Sequence, residues 1–408
     1  MLATSQMLYE CWSEIVRERS GENALRHPDL PEGWTFGDLD RRARKVTLPA
    51  SEFAIAYGDS LDYFPTILAA WKNNLPVLIL ESIHSIPMPI RCDIPNGTAL
   101  IKQTCGAPGI ERSLFFGEPQ VLAEGRRNCQ GLRLDPSIRG IAAISLAHSY
   151  GFGCLVLPLL LGGIPIDMLT SPLPVFVQQA LGNSENNGEF FLPGVPALWK
   201  TWWLTKALHG PSIRLALSAG APLSLDLENG IWNDTGIKLH NFYGATETGA
   251  IAFDRTSTPR TDASLIGEIM EGVDAITCDG DRIHIHTDAK AIGSDHLLHE
   301  KEFSESHYQM MDLGRVEAEH LYWHNHVGKA INVAGRKVSP EKIKRICLAT
   351  PGILDATVRG TRSRDFERFE EVTVTLKLCP DHDLKQVKAA VYEQLESWEV
   401  PRHWDIMA

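Results

Sequence analysis

The stretch NFYGATETGAIAFD, residues 241–254, decides how this chain is read, together with LALSAGAPLS at 215–224 ahead of it. Each places small and hydroxylated residues right after a predicted strand. At such a strand-to-loop junction, backbone N–H groups and Thr246 can hold a phosphate, and Glu247 can reach a cation. A plain glycine-containing turn uses the same residue types. The surrounding sequence has to separate the two readings.

Outward from that stretch, short apolar runs alternate with longer amphipathic segments. SIRLALSAG, LSLDLENGIWNDTG and IKLHNFYG form one set; EFAIAYG, YFPTILAAWKNN and LPVLILES form a second; GIAAISLA, YGFGCLVLPLLLGG and IPIDML form a third. Strand, helix, strand order predicts an α/β architecture in which helices cover parallel sheets. From about Asp279 the texture changes to alternating polar and apolar residues, as in DRIHIHTD and HLYWHNHVGKAINVAG, which predicts antiparallel β-ribbon. PEKIKRICLA and DLKQVKAAVYEQLESW then read as helices, and DATVRG and EVTVTLKLC as strands. The expected class is therefore α/β: a large layered N-terminal domain over 1–328 with a β-ribbon region, then a small α+β domain over 329–408.

The 408 residues carry 39 Lys and Arg against 51 Asp and Glu, a net charge of −12, which gives no electrostatic reason to expect a nucleic-acid partner. Eight cysteines without a CxxC pair point to reduced thiols and a cytoplasmic setting. The start, MLATSQMLYECWSEIVRERSGE, lacks the apolar core of a secretory signal. The longest apolar run, 154–166, is broken by Pro158, Gly162 and Gly163 and is shorter than the ~18 residues of a membrane span.

YGATETG at 243–249 resembles the signature of the adenylate-forming superfamily, which includes acyl- and aryl-CoA synthetases and nonribosomal-peptide adenylation domains. Five further segments resemble that family in order along the chain: WTFGDLDRRA at 34–43, LAAWKNNLPVLILES at 68–82, LAHSYGFGCLVLPLLLGGIPI at 146–166, MDLGRV at 311–316 and INVAGRKVSPEKI at 331–343. The resemblance implies an AMP-forming ligase. A carboxylic acid, aryl or fatty acyl, attacks the α-phosphate of ATP to give an acyl-adenylate, and a thiol of CoA or of a carrier phosphopantetheine then displaces AMP. It also implies that the small C-terminal domain is mobile and rotates between the two steps.

Carried over position by position, the resemblance puts Thr246 at the AMP phosphate, Glu247 on Mg²⁺ and Asp312 on the ribose hydroxyls. Ser218, Gly220, Ala221 and Pro222 would lie along the adenine with Asn241, Phe242, Tyr243 and Gly244. His148 and Phe152 would wall the acyl pocket, and Lys329 occupies the hinge position. The phosphate loop corresponds to Thr104, Cys105, Gly106, Ala107, Pro108, Gly109, Ile110, Glu111 and Arg112. FLPGVPALWKTWW at 191–203 reads either as an aromatic pocket wall or as core.

The departures fall on residues that handle the triphosphate. Ala107 and Pro108 replace hydroxyl positions, and Pro108 removes a backbone donor of the kind that cradles phosphate. Glu111 stands at the usual proline beside the closing cation, Arg112. His326 stands for an arginine before the hinge and Met311 for a glycine before Asp312. The family's C-terminal lysine has no counterpart before Ala408, which reads as a shortened C-terminal domain. The alternative expectation is a degenerate member that binds a nucleotide, an acyl-adenylate or a partner such as an acyl carrier protein.

Overall fold

The strand, helix, strand sets fold as their hydrophobic rhythm predicts. In the computed structural model, which describes residues 6–106, 110–182, 189–208, 213–278, 281–295, 307–326, 331–379 and 383–407, each set becomes two parallel strands joined by a helix. Ala54–Tyr57 and Val77–Leu80 flank the helix Tyr63–Lys72. Ile213–Ser218 and Leu239–Ala245 flank the helix Leu225–Thr235. Arg139–Ala142 and Ile166–Met168 flank a helical stretch that passes through a π-helical turn, Phe152–Val156. Parallel strands need such crossovers, and helices laid on both faces leave the strands apolar throughout.

These strands belong to two sheets. One has thirteen strands, its parallel half continuing into the antiparallel strands Gly249–Phe253, Leu265–Ile269, His320–His326, Tyr308–Glu317, Arg282–Thr287 and Val273–Cys278. The expected ribbon character beyond Asp279 is seen in these pairings. The other sheet has five strands, with the hairpin Thr98–Gly106 and Ile110–Gly117 beside Val77–Leu80. Trp12, Phe36, Phe64 and Trp71 are fully or almost fully buried in the largest apolar cluster, to which the thirteen-stranded sheet also contributes.

Local signals set the helix ends. Thr35 accepts from the Asp38 N–H and the Asp38 carboxylate accepts from the Thr35 N–H, so the helix Phe36–Ala43 starts with two of its orphan donors satisfied. Thr35→Ala is expected to lower the unfolding free energy by about 1 kcal/mol in a urea titration; an unchanged midpoint would mean that packing alone starts this helix.

Residues 331 onward form an apolar cluster of their own, centred on Ile331, Val338, Ile343, Val374 and Val391. It is built from the ribbon Ile331–Val333 and Arg336–Val338, the helices Pro340–Ala349 and Leu384–Tyr392, and the strands Ile353–Arg362, Glu370–Leu378 and His403–Ile406. The boundary expected at 328/329 lies outside the described residues. Polar contacts seat this unit on the rest, among them Arg336 donating twice to Glu81 at 2.9 and 2.8 Å, Lys200 reaching Asp365 and Glu367, the Ser224 hydroxyl donating to Glu367 at 2.8 Å, and the Asn332 amide donating to the Gly220 carbonyl at 3.2 Å.

The segment at 191–203 is core. Trp199 and Trp202 are fully buried, stack edge to face at 5.1 Å, and donate to the carbonyls of Leu217 and Pro172. An indole with its N–H satisfied by backbone stabilises a core and recognises no ligand.

Candidate active site

The loops that carry the motif residues emerge at the carboxyl ends of neighbouring parallel strands, where open α/β sheets place their ligands. Residues 219–222 follow the strand Ile213–Ser218. The next strand, Leu239–Ala245, turns back through Thr246, Glu247 and Thr248 into Gly249–Phe253, with Ala245 opposite Gly249. Gly249 has φ +70°, which residues with a side chain rarely adopt, so the glycine closes this turn and places Thr246 and Glu247 at its tip.

Beneath these loops lies a cavity of about 530 Å³. Gly220, Ala221, Pro222, Asn241, Phe242, Tyr243, Gly244, Thr246, Glu247, Asp312, His148, Thr104 and Arg112 all border it. Residues from positions 104 to 312 are thus brought to one space. Thr104 and Arg112 face each other across the hairpin Thr98–Gly106 and Ile110–Gly117. Between them, Gly109 with Ala107 and Pro108 lies outside the described residues, and for Cys105, Gly106 and Glu111 only the strand backbone is described. Lys329 also lies outside the described residues.

Two expected residues sit behind the wall. Ser218 is fully buried at the end of its strand, its hydroxyl without a hydrogen-bond partner, and does not border the cavity. Phe152 is fully buried as well, because the helical segment that presents His148 turns its ring into the core under Lys102. Each supports the cavity from outside.

The polar groups on the cavity wall are strongly engaged. The Glu247 carboxylate accepts from the Arg112 guanidinium, which also donates to the Tyr308 hydroxyl at 3.1 Å. Asp312 accepts from the Tyr243 hydroxyl at 2.6 Å and from the Trp323 indole at 2.9 Å. Burial, then the neighbouring Asp312 charge, pushes the Tyr243 pKa well above its usual value, so the phenol stays a donor. Phe242 stacks on Tyr150 at 5.9 Å, and Tyr150 donates to the Leu217 carbonyl at 3.2 Å.

His148 opens toward the cavity yet is ringed by protein. Loss of bulk solvent lowers its pKa below the ordinary histidine value; Arg336 and Lys102 lower it further, and Glu81 opposes them. Its Nδ1 accepts from the Tyr150 N–H at 3.4 Å. Because the folded state takes up this proton less readily than the unfolded state, stability is lost as pH falls from the unfolded histidine range toward the lower folded value. Wild type is therefore expected to lose more stability than His148→Phe between about pH 7 and 5.5. Parallel denaturation profiles would contradict this.

Sequence reasoning missed several wall residues. Glu81, Glu124, Asn128, Tyr308, Trp323 and Trp398 border the cavity. Arg336 lies against the Trp398 ring at 3.8 Å while holding Glu81. These residues come from elements far apart in the chain, and a single sequence carries no signal that joins them. Among the described residues, no group of three or more His, Cys, Asp or Glu side chains is arranged to hold a metal ion.

Residues 121–286 match the family described as "AMP-binding enzyme". Sulfoacetate–CoA ligase of Cupriavidus necator is 22% identical over 94% of this chain and 76% of its own length. The 2,3-dihydroxybenzoate-AMP ligase of Bacillus subtilis is 21% identical over 81% of this chain, which spans 62% of that relative. Among solved structures, o-succinylbenzoate CoA synthetase of Bacillus subtilis, a double mutant bound to a product analogue, superposes with a TM-score of 0.82 at 14% identity, covering 97% of this chain and 94% of that one. The signature turn, the shared architecture and these likenesses agree: residues 121–286 match the AMP-binding enzyme family, and the chain as a whole is similar to ligases that join an acid to CoA or to AMP.

Proposed function

We propose that the chain is an acid–thiol ligase that activates a carboxylic acid as its acyl-adenylate and passes the acyl group to CoA. The observation that carries this reading is the convergence on one cavity of the Thr246 and Glu247 turn, Asp312 and the Arg112 cation. The two curated relatives, named for joining an acid to CoA or to AMP, support it. A carrier-borne phosphopantetheine presents the same thiol and is the alternative acceptor.

In this reading residues 220–222 and 241–244 cradle the adenine, Asp312 accepts from the ribose hydroxyls, and Thr246 and Arg112 donate to the α-phosphate oxygens. A carboxylate oxygen of the acid attacks the α-phosphorus, and the bond to the bridging oxygen breaks, releasing pyrophosphate. The thiol then gives its proton to solvent, its sulfur bonds to the acyl carbon, and the bond from that carbon to the AMP oxygen breaks. Donors fixed before charge develops stabilise both transition states without reorganising. Neutral His148 orients the acid without adding charge beside the phosphates.

Mg²⁺ fits the donor chemistry: one hard carboxylate, Glu247, beside the Thr246 hydroxyl is the protein share that this ion takes when waters and phosphates supply the rest. Bound there, it would spread the negative charge of the phosphates. Glu247 already accepts from Arg112, so the guanidinium has to share or release the carboxylate. That same ion pair favours the second reading, a protein that binds nucleotide or acyl-adenylate without turning ATP over.

Acid-dependent pyrophosphate release from ATP and Mg²⁺, with CoA present, separates the two. The ligase reading expects release above background with at least one acid of an aryl and aliphatic panel. AMP binding without release across the panel would leave the binding role.

A further inference from the structure

The inner face of the helix Glu118–Gly131 departs from the apolar pattern of the core around it. Positions 121, 124, 125 and 128 fall on one helical stripe, and here they read Val121, Glu124, Gly125 and Asn128, all buried. A carboxylate and an amide on a core stripe cost free energy unless their hydrogen bonds are made. Their neighbour Arg127 is fully used, donating to the carbonyls of Ala250, Glu271 and Gly272 and to Thr287 and Asp288. Glu124 and Asn128 are satisfied only in part.

Lys102, with 2% of its side chain exposed, donates to Glu124 Oε2 at 3.2 Å while its ammonium lies near the Phe116 and Phe152 rings at 4.9 and 5.3 Å. Asn128 Nδ2 donates to the Gly153 carbonyl at 2.8 Å, which fixes the amide's orientation. Asn128 Oδ1 is then buried with no hydrogen-bond partner. Lys102, Glu124 and Asn128 all border the cavity.

Two glycines let the backbone come close to this pair. A Cβ at Gly153 would lie 2.7 Å from Glu124 Oε1 and 3.1 Å from Asn128 Nδ2, and one at Gly249 would lie 3.1 Å from the Glu124 carboxyl carbon. Gly249 is required by its backbone angle. Gly153 sits within a helical turn, where glycine costs roughly 0.5–1 kcal/mol relative to alanine, so its use there is spatial.

The geometry points to an acid whose far end carries a hydrogen-bond donor, a hydroxyl or an amino group, received by Asn128 Oδ1 and Glu124 with Lys102 holding the carboxylate in place. This rests on the acid-ligase reading for the identity of the occupant. A hydrocarbon tail would bury the amide oxygen still unpaired, and a site built to hydrogen-bond a substrate group discriminates strongly against the analogue that lacks it. The pair therefore selects against a plain fatty acid.

Calorimetric binding of matched acids to the full chain with AMP present tests this: benzoate, 4-hydroxybenzoate and 4-aminobenzoate, and hexanoate, 6-hydroxyhexanoate and 6-aminohexanoate. In at least one set the donor-bearing acid is expected to bind about tenfold tighter or more than the hydrocarbon acid. A hydroxyl preference assigns Asn128 as the main partner, and a preference for the cationic amine of 6-aminohexanoate assigns Glu124. Asn128→Leu is expected to bring the ratio near one by weakening the donor-bearing acid. Equal or tighter binding of the hydrocarbon acids, a ratio unchanged in Asn128→Leu, or no binding by any acid would overturn the proposal; the wild-type ratio decides even where the variant does not fold. Pyrophosphate release measured in parallel keeps the two readings apart. A binding preference without release contradicts only the ligase reading, and release without a preference contradicts only the substrate class.

Discussion

Glu247→Ala is expected to abolish acid-dependent AMP release and to lower the unfolding free energy by about 3–5 kcal/mol. The size of the stability loss follows from burial. Arg112 has 3% of its side chain exposed and Glu247 has 11%, so removing the carboxylate takes a counter-charge from a guanidinium held away from water. The Tyr308 hydroxyl that also meets Arg112 is neutral and cannot replace the charge. Glu247→Gln separates structure from chemistry. Its amide oxygen can still accept from Arg112, so the variant should keep most of the stability while AMP release falls by at least about 100-fold, the scale of losing one preorganised electrostatic group. Urea titration and an AMP assay check the two parts. An alanine variant as stable as wild type would show that the pair does not hold the turn, and a glutamine variant with full activity would remove Glu247 from the reaction.

Asp312→Ala is expected to lower kcat/KM for ATP by about 100-fold, chiefly through KM. Hydrogen bonds to a charged acceptor contribute about 1.5–3 kcal/mol each, and the ribose offers two hydroxyls to this carboxylate. The residue already accepts from Tyr243 and Trp323, which fixes the carboxylate before nucleotide arrives and keeps the reorganisation cost low. Tyr243→Phe removes one of these supports but leaves the carboxylate, so a smaller KM effect with kcat retained is expected. An Asp312→Ala variant with wild-type KM for ATP would place the ribose elsewhere.

The parts of the site legible in the sequence are those whose spacing is local. The turn at 246–248 is announced by its own strands and by Gly249, and the helix Phe36–Ala43 by its Thr35 cap. Asp312 was reached through its neighbours in the chain, whereas its partner Trp323 lies on the adjacent strand, set by a register that pairs Gly314 with Trp323. The Arg112 pairing with Glu247 spans 135 positions and the Arg336 pairing with Glu81 spans 255, distances over which one sequence records no contact. Trp199 and Trp202 show the opposite difficulty, since an aromatic run has the same composition in a pocket wall and in a core. Glu124 and Asn128 share one helical stripe at i, i+4 spacing, but their burial is seen only in the fold. Buried polar residues of that kind mark places where function competes with packing.

The most direct measurement of the central claim follows oxygen. The acid bound best by the chain, labelled with ¹⁸O in its carboxylate, is incubated with unlabelled ATP, Mg²⁺ and CoA, and the products are weighed by mass spectrometry. Attack of the carboxylate on the α-phosphorus leaves one labelled oxygen on AMP when the thiol displaces it, and none on pyrophosphate. AMP carrying one ¹⁸O is the predicted result. Unlabelled AMP, or label in pyrophosphate or inorganic phosphate, would contradict activation through an acyl-adenylate.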